Sequence, residues 1–189
     1  MLRIAEQSGD GSTGGFARAA ATAGSIQASA NSKNALVAGA SSNAAVSPFG
    51  NDRGDFSAVG PADDGRIKPT ICAPGSGIVS STSGDSTYTP LSGTSMACPV
   101  AAGCAALMRQ YLTEGWYPTG ARVPGNGITP SGALIKAMAV NSGNNTLDGL
   151  NSPNVSSGWG RIDADSVLYF AGDTRRLLLV DQTQGLGFG

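Results

Sequence analysis

Residues 91–103 read Leu-Ser-Gly-Thr-Ser-Met-Ala-Cys-Pro-Val-Ala-Ala-Gly, and this stretch contains the start of a helix. Apolar side chains then recur at three- and four-residue spacing, which predicts a helix over 94–111. Pro99 fits only near the start of that helix, because the N–H that proline lacks would have bonded to the carbonyl oxygen of Ser95. The remaining residues are mostly small and leave almost no polar face. We therefore expect a buried helix that strands approach closely.

The predicted helix places Ser95 in its first turn, just after Gly93. The positive end of a helix dipole stabilises negative charge, including the oxyanion that forms when a serine hydroxyl attacks a carbonyl group. A serine at a helix start is also a common N-cap, where it serves the helix alone. Helix chemistry by itself leaves Ser95 open to both interpretations, nucleophile or cap.

The rest of the chain alternates short apolar segments with turns and helical patterns. Strands are predicted at 2–5, 34–40, 67–73 and 77–82. A second helix is predicted to begin with Thr129 as cap and Pro130 in its first turn, and to end at 141–143. A short helix at 164–170 and a last strand at 177–180 follow. This alternation favours an α/β architecture with a largely parallel sheet.

Composition narrows the function classes. The chain has 189 residues, of which 40% are hydrophobic, so it can form one domain with a core. Only 13% are charged and 28 are glycine, which indicates a turn-rich surface of the kind found in secreted proteins. The net charge of −1 gives no reason to expect nucleic acid or a membrane surface as a partner. No apolar run is long enough to span a membrane, and the first residues do not resemble a signal peptide.

The pattern Gly93-Thr94-Ser95-Met96-Ala97-x-Pro99-x-x-Ala102-Gly103 resembles the signature around the catalytic serine of the subtilisin-like serine proteases, the subtilases of peptidase family S8. Further segments resemble the same family in the same order along the chain: residues 34–40, 56–69, 73–75 and 158–163. The resemblance is greatest to the bacterial and protist type in which a β-rich domain follows the catalytic domain.

This resemblance implies a three-layer subtilisin-like α/β fold with a mainly parallel sheet, incomplete here because the amino-terminal strands are absent. Residues 1–172 are then the carboxyl-terminal half of a catalytic domain, and residues 173–189 the first strand of a truncated β-rich domain. It also implies that Ser95 is the nucleophile of a Ser-His-Asp triad, with Gly93 and Thr94 in contact with substrate.

Asp10 occupies the position that the resemblance assigns to the oxyanion hole, in the turn Ser8-Gly9-Asp10-Gly11. The family usually carries asparagine there, and an ionised carboxylate accepts hydrogen bonds but donates none. Asp10 is therefore either an oxyanion-hole residue in its protonated form or simply a turn residue.

Other candidate groups carry weaker signals. The resemblance allows calcium, but the carboxylates Asp52, Asp55, Asp63 and Asp64 match no cation loop, and solvated turn carboxylates are the alternative. No cofactor is expected to be required. Cys98 is either a packed small thiol or an oxidation sensor, and three cysteines without any histidine do not indicate a zinc site.

The chain contains no histidine, so the triad base and its aspartate must come from the missing amino-terminal half. The first hypothesis is a serine endopeptidase that cleaves polypeptides through an acyl-enzyme on Ser95, with this chain inactive alone. The alternative is a non-catalytic truncated paralogue, or one chain of a two-chain assembly, that binds a complementary half. The resemblance implies a secreted or vesicular location for the parent protein.

Overall fold

Three short strands form a parallel sheet in the order β1–β2–β3. The computed structural model describes residues 4–6, 23–43, 52–84, 86–144 and 147–182. Strands β1 (Ile4–Glu6), β2 (Leu36–Ser41) and β3 (Ile71–Pro74) correspond to three of the predicted apolar segments. The register pairs Ile4 with Leu36 and Ala38 with Ile71. The prediction of an α/β fold with a parallel sheet is thus confirmed.

The central strand β2 is buried on both faces, as its almost wholly apolar sequence predicts. Leu36, Ala38 and Ala40 belong to the main core under the helices. Val37 points the other way and packs in a second cluster with Ile26, Ala30 and Ala35. The segment 23–35, which includes a 3₁₀ helix at Ala28–Asn31, therefore covers the sheet face opposite the helices and completes a three-layer arrangement.

The outer edge of β3 is covered by the segment 160–162. The N–H of Cys72 donates to the carbonyl oxygen of Gly160, and the N–H of Ile162 donates to that of Cys72, each across 2.8 Å. Gly160 has φ +105°, and a Cβ there would lie 2.3 Å from the carbonyl oxygen of Asn144. Only glycine fits this crossing, which explains the second glycine of the Gly-Trp-Gly motif.

Helix α1 (Thr94–Thr113) packs across all three strands. Its buried side faces the sheet with small and apolar residues: Ala97, Ala101, Ala105, Met108, Tyr111 and Leu112. The expectation of a wholly buried helix is wrong for this chain. A stripe on the opposite side, formed by Pro99, Gly103, Ala106 and Leu107, is exposed, and Leu107 is 54% exposed.

Helix α2 (Gly132–Asn141) packs against α1 and ends where the sequence indicates. Its start differs from the prediction, because Ser131, and not Thr129, is the N-cap. The Ser131 hydroxyl accepts a 3.0 Å hydrogen bond from the N–H of Leu134. Pro130 therefore precedes the helix instead of occupying its first turn.

Two strands, β4 (Ile78–Ser81) and β5 (Tyr88–Leu91), form an antiparallel hairpin directly before α1. The sequence predicts β4 but not β5. The predicted helix at 164–170 is shorter, a 3₁₀ helix at Ala164–Val167.

Residues 177–180 form no strand within the described part of the chain, because no neighbouring strand is there to pair with them. They run along the surface, where Leu177 and Leu179 pack against the main core and Leu178 is 84% exposed. Whether 173–189 begins a separate domain stays a prediction.

Candidate active site

Ser95 is exposed in the first turn of α1. Gly93 precedes the helix, and its carbonyl oxygen accepts the N–H groups of Met96 (3.0 Å) and Ala97 (3.3 Å), which closes that first turn. The amino end of a 20-residue helix thus reaches the surface at Ser95. The helix dipole favours negative charge at this place.

The turn before Ser95 is held by the end of the parallel sheet. The N–H of Gly93 donates to the carbonyl oxygen of Gly75 (2.8 Å), and the N–H of Gly75 donates to that of Ser41 (2.9 Å). A Cβ on Gly75 would lie 2.8 Å from the Gly93 oxygen and from the Ala40 Cβ. Glycine at position 75 is therefore needed because the backbone and α1 approach closely here.

The hairpin is tied to the same turn. The N–H of Gly77 donates to Oγ of Ser92 across 2.9 Å. Because Ser92 follows β5 and Gly77 precedes β4, this bond joins the two open ends of the hairpin next to Ser95. The bond thus links the hairpin to the turn that precedes α1.

Arg53 holds a second loop at the carboxyl end of β2, and sequence reasoning missed it. Its guanidinium donates to the carbonyl oxygens of Gly54 (2.9 Å) and Ser57, and its backbone N–H donates to Oδ1 of Asp148 (2.7 Å). Its Nε is buried 3.9 Å from Oδ2 of Asp148, without a hydrogen-bond partner among the described residues. No local pattern could reveal this pair, because the two residues are 95 positions apart.

The two predicted substrate-binding residues, Gly93 and Thr94, differ in how far they are buried. Gly93 is half-buried, and both of its backbone groups hold the turn. Thr94 is only 2% exposed. Their contact with substrate stays a prediction, and the observed role of Gly93 is to fix the position of Ser95.

Comparison with known proteins identifies the family of this chain. The model of the subtilase family of peptidases matches residues 9–160, most of the chain. The chain belongs to the subtilase family. The family match contains strands β2 and β3, the hairpin, both helices and Ser95, whereas β1 precedes it.

Two relatives that match this chain are much longer than it. The serine protease/ABC transporter B family protein tagB of Dictyostelium discoideum is 34% identical in an alignment of 151 residues that covers 63% of this chain and 8% of that protein. The C5a peptidase of Streptococcus pyogenes serotype M3 is 40% identical over 111 residues, 58% of this chain and 9% of that protein. The chain therefore spans less than a tenth of the length of either relative.

Solved structures confirm the subtilisin-like fold. The CspB protease of Clostridium perfringens superposes with a TM-score of 0.60 and 25% identity, covering 76% of this chain and 28% of that one. The prenylagaramide maturation protease PagA gives a TM-score of 0.59 with 18% identity, covering 87% of this chain and 48% of that one. Likeness to PagA concerns the fold alone.

Asp10, the predicted oxyanion-hole residue of this subtilase chain, lies outside the described residues. Strand β1, which precedes it, runs parallel to β2 and ends at Glu6. The carboxyl ends of parallel strands share one edge of the sheet, and Gly75 and Ser95 follow that edge. Both the oxyanion and the turn interpretation of Asp10 stay predictions.

The acidic residues considered for calcium are separated in the structure. Asp63 accepts a hydrogen bond from the Asn31 amide (3.1 Å), and Asp64 pairs with Arg66 (2.7 Å), which lowers the pKa of Asp64. Asp52 and Asp55 are exposed at the carboxyl end of β2. Within the described ranges, no group of three or more such side chains is placed to hold a metal ion.

The cysteines differ in environment. Cys72, Cys98 and Cys104, all described, form no disulfide. Burial raises the pKa of Cys72 to about 12, so this thiol is unreactive, and burial also raises the pKa of Cys104. Cys98 is half-buried three residues after Ser95, which leaves both of its predicted roles open.

A cavity of about 610 Å³ lies beside the end of α2 and the segment 163–177, and no residue of the Ser95 turn lines it. It is therefore not part of the candidate site. In the described part of the chain, no helix is both long and apolar enough to cross a membrane.

Proposed function

We propose that Ser95 is the nucleophile of a serine endopeptidase whose general base is supplied by another stretch of polypeptide. The observation that carries the proposal is the exposed Ser95 in the first turn of α1, at the edge where the parallel strands end. The family implies polypeptide substrates.

The chemistry follows from that placement. The Ser95 hydroxyl attacks the scissile carbonyl, and a histidine imidazole from the other stretch of polypeptide takes its proton. The positive end of the α1 dipole then stabilises the negative charge of the oxyanion. Collapse of the intermediate releases the amine, which takes a proton from the imidazolium, and leaves an acyl-enzyme that water hydrolyses. The chain contains no histidine, and an unactivated serine is a weak nucleophile. We therefore expect the chain to be inactive alone.

Two surfaces support a complementary half as the source of the base. On α1, the stripe that includes Leu107 is apolar and exposed, although its sequence is that of a buried helix. On the sheet, β1 pairs with β2 on one side only among the described strands. Strand addition at β1 and packing on α1 would cover both surfaces and bring an imidazole to Ser95.

The remaining assignments extend the same proposal. Asp10, if protonated, would donate to the oxyanion, and Gly93 and Thr94 would lie beside the bound substrate. Calcium is allowed but not required. A secreted or vesicular location is favoured by the glycine-rich surface with its few charged residues.

A fluorophosphonate probe, which labels activated serines, tests the proposal. It is added to the chain, to the chain mixed with a subtilase amino-terminal half that carries the aspartate and histidine motifs, and to a Ser95→Ala mixture. Ser80→Ala serves as the matched control, because Ser80 is an exposed serine of β4 outside the turn. We expect labelling only in the mixtures that retain Ser95.

The alternative, a non-catalytic binding chain, predicts a different pattern. In that case the complementary half binds, but no mixture is labelled. Labelling of the chain alone would contradict the proposal, because it would mean that Ser95 is activated without a histidine.

A further inference from the structure

All three lysines of the sequence line one cavity. Lys33 precedes β2, Lys68 precedes β3 and Lys136 lies in α2, so three separate parts of the chain bring them together. Arg66 is a fourth cation in the wall, and Trp159 forms an apolar part of it. The cavity has a volume of about 230 Å³. Of the described residues that line it, none is acidic.

The ammonium groups of Lys68 and Lys136 bond to carbonyl oxygens and not to carboxylates. Nζ of Lys68 donates to the Ser32 oxygen (2.9 Å), and Nζ of Lys136 donates to the Lys33 oxygen (2.8 Å). A lysine has three N–H donors, so each group has donors beyond this bond. The nearby carboxylate of Asp64 is exposed and pairs with Arg66. Positive charge is thus concentrated here without compensation from the lining residues.

The concentration of charge is unfavourable for the lysines themselves. Lys68 is 2% exposed, and its burial, together with the charges of Lys136 and Arg66, lowers its pKa to about 8. Burial and the charge of Arg66 also lower the pKa of Lys136. Both shifts favour the neutral form of the lysine and thus reflect a preference of the site for less positive charge. An anion in the cavity would remove that preference, because it would face several cations at once.

We propose that this cavity binds a small multivalent oxyanion, a phosphate or sulfate group, through Lys68, Lys136 and Arg66, with Trp159 as an apolar wall. The volume suits a tetrahedral group with few attached atoms better than a folded segment of protein. Several cations around one small space match a group with more than one negative charge.

The proposed anion site is remote from Ser95. Lys68 lies before the amino end of β3, whereas Gly75 and the Ser95 turn follow its carboxyl end. The four residues of β3 span roughly 13 Å at 3.3 Å per residue. An anion at Lys68 therefore does not enter the proposed catalytic chemistry, and Ser95→Ala should bind it as the native chain does.

Titration of the full chain with inorganic phosphate, inorganic sulfate and phenyl phosphate tests the proposal, with chloride at matched ionic strength as reference. The readout is the fluorescence of Trp159 in a Trp116→Phe background, because the chain has two tryptophans. We expect saturable changes with the oxyanions and none with chloride. Binding of phenyl phosphate alone would identify an ester as the ligand, and binding of phosphate as well would identify the free ion as sufficient.

The lysine variants decide which groups bind. Lys68→Met and Lys136→Met should each weaken binding by about tenfold or more, as expected for a lost charge-assisted hydrogen bond. Arg122→Gln removes the same charge at an exposed position outside the cavity and should change little. Lys136 lies partly exposed on α2, so its variant remains informative if Lys68→Met does not fold.

Proton uptake gives a second readout. Lys68 faces Lys136 from α2, Lys33 from the segment before β2, and Arg66 and Asp64 from its own loop. At a pH near 8, bound anion should recharge Lys68, so calorimetry in buffers of different ionisation enthalpy should show proton uptake that Lys68→Met abolishes. The absence of saturable oxyanion binding, or equal binding by both lysine variants and the native chain, would overturn the proposal.

Discussion

The N–H of Gly93 donates to the carbonyl oxygen of Gly75 across 2.8 Å, and this bond joins the end of the parallel sheet to the start of α1. Gly75 donates in turn to Ser41, the last residue of β2. A line of backbone hydrogen bonds thus runs from the central strand to the turn that carries Ser95. Both hydrogen bonds involve the backbone of Gly75, and neighbouring atoms leave no room for a side chain there. The position of Ser95 therefore depends on glycine at position 75.

Gly75→Ala should therefore displace the Ser95 turn. The added Cβ would lie 2.8 Å from the Gly93 oxygen and 3.1 Å from the Ala97 Cβ, in a buried place. Overpacking of this kind costs about 1–3 kcal/mol. We expect a lower urea midpoint by tryptophan fluorescence, and loss of probe labelling at Ser95 in the mixture with a complementary half.

Gly103→Ala is the matched control for this substitution. It lies in the same helix, and a Cβ there meets no atom within 4 Å. Alanine is favoured over glycine inside a helix by about 0.5–1 kcal/mol, so this variant should be slightly more stable. Equal urea midpoints for Gly75→Ala and the native chain would show that the close approach is not required.

Local sequence signals are sufficient to predict the main helix and the central strand. Helix α1 has an apolar periodicity, and Pro99 fixes where it begins. Strand β2 is apolar throughout because both of its faces are covered. The subtilase signature identified the family, since it contains the turn around Ser95 that these elements position.

Other features could not be predicted because they depend on distant residues. Strand β5 contains Pro90, which argues against a strand, and it forms only because β4 pairs with it. Thr129-Pro130 has the pattern of a helix start, but Asp181, 50 residues away, binds Ser131 and helps to fix the cap there. The lysine cavity likewise has no local signal, since its members come from three segments.

The stability of the chain should depend on pH through Lys68. Its pKa is lowered from 10.5 to about 8 in the folded state, chiefly by burial. Between these two values the unfolded chain binds more protons than the folded chain, so the free energy of unfolding rises as pH increases from about 8 toward 10.5. We expect Lys68→Met to remove most of this rise in urea unfolding measured across that range.

Lys33→Met is the control for the pH dependence, because it removes an exposed charge from the same cavity. The rise should persist in this variant, since burial is the first cause of the Lys68 shift. Comparison between variants also cancels the contributions of the groups that the variants share. A native chain whose stability falls with pH over this interval, in parallel with Lys68→Met, would contradict the assignment.

Asp181 should stabilise the start of α2. Its carboxylate accepts hydrogen bonds from the Ser131 N–H (2.7 Å) and hydroxyl (2.6 Å), while Ser131 itself caps the helix. Asp181→Ala should lower the free energy of unfolding by about 1 kcal/mol, as for the loss of a capping interaction. Limited proteolysis should also cut the segment 173–182 faster, because one of its attachments is gone.

Asp165→Ala provides the comparison for Asp181, since Asp165 is an exposed carboxylate in the first turn of the 3₁₀ helix at Ala164–Val167. This substitution should leave both the urea midpoint and the rate of proteolysis in the segment 173–182 close to those of the native chain. If both variants behave alike, the contact with Ser131 contributes no stability beyond that of a surface charge.

The exposed stripe of α1 should govern association. Leu107 is 54% exposed among Pro99, Gly103 and Ala106, and the exposure of this apolar surface to water is unfavourable. We expect the chain alone to self-associate through this stripe, and sedimentation equilibrium should show a larger monomer fraction for Leu107→Gln. Loss of one buried leucine side chain costs about 1.5–3 kcal/mol, so association with a complementary half should weaken about tenfold or more.

Leu178→Gln separates this stripe from general surface hydrophobicity, because Leu178 is 84% exposed on the segment that follows the core. If apolar exposure alone caused association, this substitution would disperse the oligomers at least as well as Leu107→Gln. We expect it to have little effect, because an isolated side chain on an extended segment offers no surface that a neighbouring helix or strand could bury. The stripe, by contrast, combines small residues with one leucine, so a partner backbone can approach α1 closely and bury Leu107 in the same contact.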